Sequence, residues 1–130
     1  MKDAFKELYE NMKKNRNNCP WVKKRTMHEY VDFIKGETDE IKLALDNNDM
    51  DNLEEEIGDT FSTLVFLTVL AEEKGLSMKK VLERINKKFK DRKPWVFGDM
   101  KGIDTPEKAV AEWNRIKNEE KLRKKQRLSN

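Results

Sequence analysis

The chain has 130 residues, 36% hydrophobic and 41% charged, enough for one domain around a lean core. A single cysteine, Cys19, excludes an internal disulfide framework. No stretch approaches the roughly 18 apolar residues of a membrane span, and the charged N-terminus does not read as a leader, so a cytoplasmic protein without membrane partners is expected.

Proline (3) and glycine (5) are scarce, and apolar residues recur at three and four rather than two. An all-α helical bundle of about five helices is therefore expected. The first runs from about Asp3 to Lys14, with Phe5, Leu8, Tyr9 and Met12 on one face. Asn15 to Trp21 reads as a loop, because asparagines and Pro20 break helices. Thr26 caps the second helix, which runs to about Leu45 with Tyr30, Phe33, Ile34, Ile41 and Leu45 as its stripe. Asp46 to Asp49 is a turn. Asp51 is expected to cap the third helix, with Glu54 in capping-box register and Gly75 as the residue past its end. Its Leu64–Leu70 portion is apolar nearly all round and should be the most buried element. One face would meet its own bundle and another a partner subunit.

Ser77 caps the fourth helix, with Met78, Val81, Leu82, Ile85 and Phe89 apolar. Lys93 to Asp104 is the longest loop. Thr105-Pro106-Glu107 opens the fifth helix, which carries Val110, Trp113 and Ile116. The net charge of +3 is uneven: residues 115–130 hold seven Lys/Arg against two Glu. Cations suit a helix C-terminus, and residues 122–130 read as a basic, frayed tail. No aromatic interleaves with this run, so nucleic acid is not an expected partner. Residues 1–130 are expected to form a single domain. With so lean a core, its apolar faces would be completed by a second copy, as a homodimer or, alternatively, a tetramer.

Two acidic repeats carry the chemistry. Glu37-x-x-Glu40 and Glu56-x-x-Asp59 lie on successive helices, with fifteen residues between Glu40 and Glu56. Residues three apart share a helix face, so each repeat aims two carboxylates one way. Four carboxylates converging at a core edge repel one another and resist desolvation, a conflict that a divalent cation resolves. An all-oxygen ligand set suits Mg²⁺, with Mn²⁺ as a substitute, and protein-bound Mg²⁺ commonly shares its shell with substrate phosphates. A metal-dependent enzyme acting on a phosphorylated molecule is the expectation. No Gly-rich phosphate loop exists. The single histidine, His28, excludes a repeated Glu-x-x-His di-iron pattern and reads as a surface residue.

Five blocks then carry a resemblance. They are Cys19-Pro20-Trp21 followed by Thr26; Glu37-x-x-Glu40; Glu55-Glu56-Ile57-Gly58-Asp59; Arg92-x-Pro94-x-Val96-Phe97-Gly98-Asp99; and Trp113-x-x-Ile116-Lys117-x-x-Glu120-Lys121. Over about residues 19–121 the chain resembles the MazG-like nucleoside triphosphate pyrophosphohydrolases of the all-α NTP-pyrophosphatase superfamily. The resemblance implies hydrolysis of a nucleoside triphosphate, non-canonical or surplus, to monophosphate and pyrophosphate. It implies Glu37, Glu40, Glu56 and Asp59 as catalytic Mg²⁺ ligands, Lys88 and Arg92 as contacts to substrate phosphates, and Trp113 and Lys117 as residues near the nucleotide. Departures lie on the substrate side: Gly36 replaces a glutamate, Val22 an aspartate, Arg25 a glutamine, Met27 a histidine and Asp91 an arginine. Lys93 and Trp95 replace two histidines, and Asn52 stands where a basic residue is common. They keep open an alternative, a catalytically weak helical interaction module of the same fold.

Overall fold

All five expected helices form, and two single-turn helices occupy segments expected as loops. In chain order the elements are α1 (Lys2–Asn18), α2 (Pro20–Lys23), α3 (Met27–Asp46), α4 (Met50–Glu72), α5 (Met78–Arg92), α6 (Pro94–Phe97) and α7 (Pro106–Ser129). The computed structural model describes residues 1–130. Two compact units, residues 1–78 and 79–130, divide the chain, and each has its own packing.

In the first unit, local chemistry starts and stops the helices. Thr26 begins α3 with a full capping box: its hydroxyl accepts from the Glu29 amide (3.2 Å), and its own amide donates to the Glu29 carboxylate (3.4 Å). The cap of α4 is Asp49, which accepts from the Asn52 amide at 3.1 Å, and not Asp51, which falls in the first turn. The reason is the preceding turn: Asn48 takes a left-handed φ of 52°, which asparagine tolerates, and Asp49 is left in the extended conformation a cap requires. At the other end, Gly75 (φ 94°) donates to the Glu72 carbonyl and Leu76 to the Ala71 carbonyl. These paired bonds are a Schellman motif with glycine past the helix end, as the sequence indicates.

The core of this unit is built on α4. Thr63, Val65, Val69, Leu70 and Ala71 are buried, so α4 is the most buried element, as expected. Phe5, Leu8, Tyr9 and Met12 of α1 pack against Val65, Val69 and Met78. On α3 the buried residues are Tyr30 and Ala44. Leu45, expected in that stripe, is 57% exposed. Ala44 lies two heptads from Tyr30 and so shares its line, whereas Leu45 is rotated about 100° away. The Tyr30 ring stacks on Phe66 at 5.3 Å and meets Phe33 edge-on at 5.5 Å.

Helix α1 runs four residues beyond its expected end. Arg16 explains the extension. Its guanidinium pairs with Glu73 (2.8 and 3.1 Å) and donates to the carbonyls of Val22 (2.6 Å), Lys23 (3.0 Å) and Arg25 (3.2 Å). Tertiary anchoring of this kind overrides the modest helix aversion of asparagine.

The second unit is a looser pairing. Phe89 of α5 meets Trp113 of α7 at 5.7 Å, Arg92 binds Glu120 at 3.0 Å, and Ile116 is buried. Between them, α6 closes on Gly98, whose amide donates to the Pro94 carbonyl. A β-carbon at Gly98 would lie 3.0 Å from that oxygen, so glycine permits the close approach. Thr105 caps α7 through the Lys108 amide. Residues 122–130, expected to fray, continue α7 to Ser129. No helix is long and apolar enough to cross a membrane.

Candidate metal and nucleotide site

Antiparallel register in the α3–α4 hairpin positions the acidic residues. Tyr30 stacks on Phe66; Glu37 lies seven residues after Tyr30, and Asp59 seven before Phe66. Two helical turns from one contact, an antiparallel pair must bring those positions together. Glu37 also stands on the heptad line between the buried Tyr30 and Ala44, and Glu56 on the line of the buried Thr63 and Leu70. Each helix thus carries one carboxylate within its core-facing stripe.

The result is a cluster. Glu37, Glu56 and Asp59 each offer a carboxylate oxygen within 4.8 Å of the others; the two glutamates are half-buried and Asp59 is exposed. Glu40 is exposed and stands outside that group, although its charge still acts on Glu56. Partial desolvation, together with a hydrogen bond to Glu37 and the charges of Glu37, Asp59 and Glu40, pushes the Glu56 carboxyl above its usual range. No ion pair joins these carboxylates to a cation of the chain. An oxygen-only, uncompensated donor set of this size fits a hard divalent cation. Gly36, one residue before Glu37, is exposed, and an added β-carbon there meets nothing within 4 Å. This departure therefore relieves no close contact.

The expected substrate-side residues all lie in the second unit. Lys88 lines a cleft of about 550 Å³ between α5 and α7. Arg92, one turn on, is held by Glu120 and lies over the Trp113 ring at 5.2 Å, with its side chain only 14% exposed. Trp113 helps line a second cleft of about 350 Å³, with Phe89, Lys93, Trp95, Ala109 and Val110 around it. Lys117 is half-buried beyond Ile116. Sequence reasoning missed two features here. Glu120 was quoted only as part of a motif, yet it is the anchor of Arg92. Lys93 and Trp95, noted only as departures, build the aromatic cleft, with the Lys93 ammonium 5.5 Å from the Phe89 ring and 5.8 Å from that of Trp113.

Comparison with known proteins agrees with this picture. Residues 25–97 match the family described as the MazG nucleotide pyrophosphohydrolase domain. The four carboxylates, Lys88 and Arg92 fall inside that segment; Trp113 and Lys117 fall beyond it. A nucleoside triphosphate pyrophosphohydrolase of Escherichia coli is 30% identical over 125 residues, covering 95% of this chain and 47% of the relative. The nucleoside triphosphate pyrophosphohydrolase/pyrophosphatase MazG of Thermotoga maritima is 34% identical over 131 residues, covering 96% and 49%. The chain therefore spans about half the length of these curated relatives. The crystal structure of a mazG-related protein from Thermotoga maritima superposes with a TM-score of 0.78 at 28% identity, over 87% of this chain and 98% of that one.

Proposed function

The chain belongs to the MazG nucleotide pyrophosphohydrolase domain family, and from that premise we propose that it hydrolyses nucleoside triphosphates to monophosphate and pyrophosphate with Mg²⁺ as cofactor. One observation carries the reading. An uncompensated, oxygen-only carboxylate group, half-buried Glu37 and Glu56 with exposed Asp59, gathers on a helical hairpin inside the segment that matches the family.

Glu37, Glu56 and Asp59 would hold the metal, with Glu40 supplying a fourth carboxylate. Bound there, Mg²⁺ supplies neutralisation of phosphate oxygens and acidification of a coordinated water. The chain's own contribution is positioning. Rigid helices fix the carboxylates before the cation arrives, so little ordering is required on binding. The half-buried setting of Glu37 and Glu56 weakens screening by water and strengthens their pull on a cation. A carboxylate oxygen not engaged by metal would accept the proton of the attacking water. Lys88 and Arg92 keep the role that the resemblance gives them, stabilising phosphate charge. Arg92 is already oriented by Glu120, and Lys88 acts as a point charge. Non-canonical or surplus nucleotides as substrates, a cytoplasmic location and a homodimeric or tetrameric assembly complete the proposal.

Incubation with Mg²⁺ and a panel of ribo-, deoxyribo- and damaged nucleoside triphosphates tests it. Monophosphate and pyrophosphate are the expected products, absent in Glu56→Ala and Asp59→Ala. Diphosphate and phosphate would overturn the cleavage position. Metal binding has its own readout. Mg²⁺ should raise the Tm of the wild type, because a ligand bound only by the native state stabilises it. Glu56→Gln should raise the Tm without metal, by removing a repelling charge, and reduce the Mg²⁺-dependent rise. An unchanged Tm in all four conditions would reject the metal site.

A further inference from the structure

The cleft between Phe89 and Trp113 is apolar except at one point. Three rings, Phe89, Trp95 and Trp113, wall a space of about 350 Å³, Ala109 and Val110 complete its lining, and Lys93 is its only charged member. The Lys93 ammonium lies 5.5 Å from the Phe89 ring and 5.8 Å from the Trp113 ring. It has no carboxylate or carbonyl partner in the chain. The neighbouring cation differs: Glu120 engages the Arg92 guanidinium, which lies over the Trp113 ring at 5.2 Å.

Rings joined by one free donor set the chemistry of an occupant. Ring faces attract a cation, but they do not take up its three N–H groups as oxygen or nitrogen lone pairs do. Water serves those donors only while the cleft is open to solvent. Any ligand that fills the space displaces that water and must return an acceptor, because an ammonium desolvated without one is costly. Three ring walls favour a flat occupant that stacks. A saturated apolar ligand meets neither demand. A flat heterocycle with a carbonyl oxygen on its edge meets both, whereas one bearing an amino group there sets donor against donor.

We infer that Lys93 selects the base of the nucleotide, favouring a 6-oxo purine or 4-oxo pyrimidine over its amino counterpart. This rests on the hydrolase reading proposed above, which supplies a nucleobase as the flat ring and sets Arg92 on the phosphates beside the same cleft. Lysine pairs with the O6 and N7 acceptors of guanine, whereas glutamine pairs with the N6 donor and N7 acceptor of adenine. Hypoxanthine shares the guanine edge, and uracil carries an oxygen where cytosine carries an amino group. The favoured nucleotides are then those whose base has lost, or never had, an amino group at that edge. Lys93 stands where the family resemblance has a histidine, a ring that donates or accepts at neutral pH. A lysine only donates, so the discrimination belongs to this chain's own sequence.

Titration calorimetry of the full chain with inosine, adenosine, uridine and cytidine monophosphates, in metal-free buffer, tests this without turnover. The inosine nucleotide should bind at least about tenfold more tightly than the adenosine one, and the uridine nucleotide more tightly than the cytidine one. Lys93→Met should bring both ratios close to one with an unchanged melting curve. Lys93→Gln should move the purine preference towards adenosine, a reversal that lost packing alone does not produce. Equal affinities in the wild type, unchanged ratios in Lys93→Met, or no binding of any of the four would overturn the inference. Assays of the matching triphosphates with Mg²⁺ keep the two readings apart. Turnover of all four with equal kcat/KM would remove base selection and leave the hydrolase. Absent turnover with the inosine preference intact would remove the hydrolase and leave the selection.

Discussion

Tyr30 buries a conflict inside a favourable contact. Its ring is only 3% exposed and stacks on Phe66, yet its hydroxyl is buried without a hydrogen-bond partner. An unsatisfied buried hydroxyl costs about 1–3 kcal/mol, so Tyr30→Phe, which keeps the ring, should stabilise the protein by about 1 kcal/mol. Urea denaturation measures this; a clear loss of stability would show that the hydroxyl is paired in solution. Arg16 presents the opposite case, since its side chain is 16% exposed and every bond it makes is charge-assisted. Arg16→Lys keeps the charge but loses the fork that serves Glu73 and three carbonyls. It should cost about 2–3 kcal/mol, because hydrogen bonds to charged groups contribute about 1.5–3 kcal/mol. A cost below about 0.5 kcal/mol, the range of ordinary surface substitutions, would show that the fork is dispensable.

Among the elements, α4 and α5 differ in how their apolar faces are used. One side of α4 is covered by α1 and α3, while Ile57 (52% exposed) and Leu64 (45%) stay open, and Phe61 (46%) is only partly covered by an edge-on contact with Phe5. Beyond its buried first residue, Met78, helix α5 leaves its stripe half-open, with Val81, Leu82, Ile85 and Phe89 near 40%. A helix that gains so little from its own chain is poorly stabilised by propensity alone, and large open apolar patches mark interaction surfaces. Under the proposed homo-oligomer, Ile85→Asp should lower the assembly to a monomer and reduce the Tm, read by light scattering after size exclusion and by thermal melting. A wild type that is monomeric at all concentrations, or a variant that assembles unchanged, would remove α5 from the interface.

For the whole molecule, the first unit's stability has two pH-dependent limbs. The Tyr9 hydroxyl donates to Glu72 at 2.5 Å, and burial, reinforced by that bond, pushes its pKa up to about 12. A raised pKa means that the folded state favours the protonated form. This contribution is complete below the ordinary tyrosine value of about 10 and is lost as pH rises towards 12. Glu73 is shifted the other way, held down chiefly by its hydrogen bond to Arg16. Its contribution is present above the usual carboxylate range and is lost on acidification. Denaturation at a series of pH values should therefore show both limbs. Tyr9→Phe should reduce the alkaline limb, to which Tyr30, raised by burial, also contributes, and Glu73→Gln should reduce the acid limb. A Tyr9→Phe variant with an unchanged alkaline limb would assign that limb to another group.

By itself the sequence determined most of the local architecture. Helix against strand follows from the apolar period. The start of α3 at Thr26, the end of α4 at Gly75 and the start of α7 at Thr105 follow from side chains acting on backbone within four residues. The α1 face formed by Phe5, Leu8, Tyr9 and Met12 was legible for the same reason. The acidic repeats could also be read, because a spacing of three fixes which residues share a face. Only the tertiary structure decided which of those carboxylates meet. The register set where Tyr30 packs on Phe66 brings Glu37, Glu56 and Asp59 within 4.8 Å and leaves Glu40 outside; no local rule encodes that register. The extension of α1 through Arg16, the move of the α4 cap to Asp49, the exposure of Leu45 and the pairing of Arg92 with Glu120 belong to the same class. Each depends on a partner brought near by turning or packing of the chain, and the free energy of such a contact is set by where the chain returns, not by which residues adjoin it.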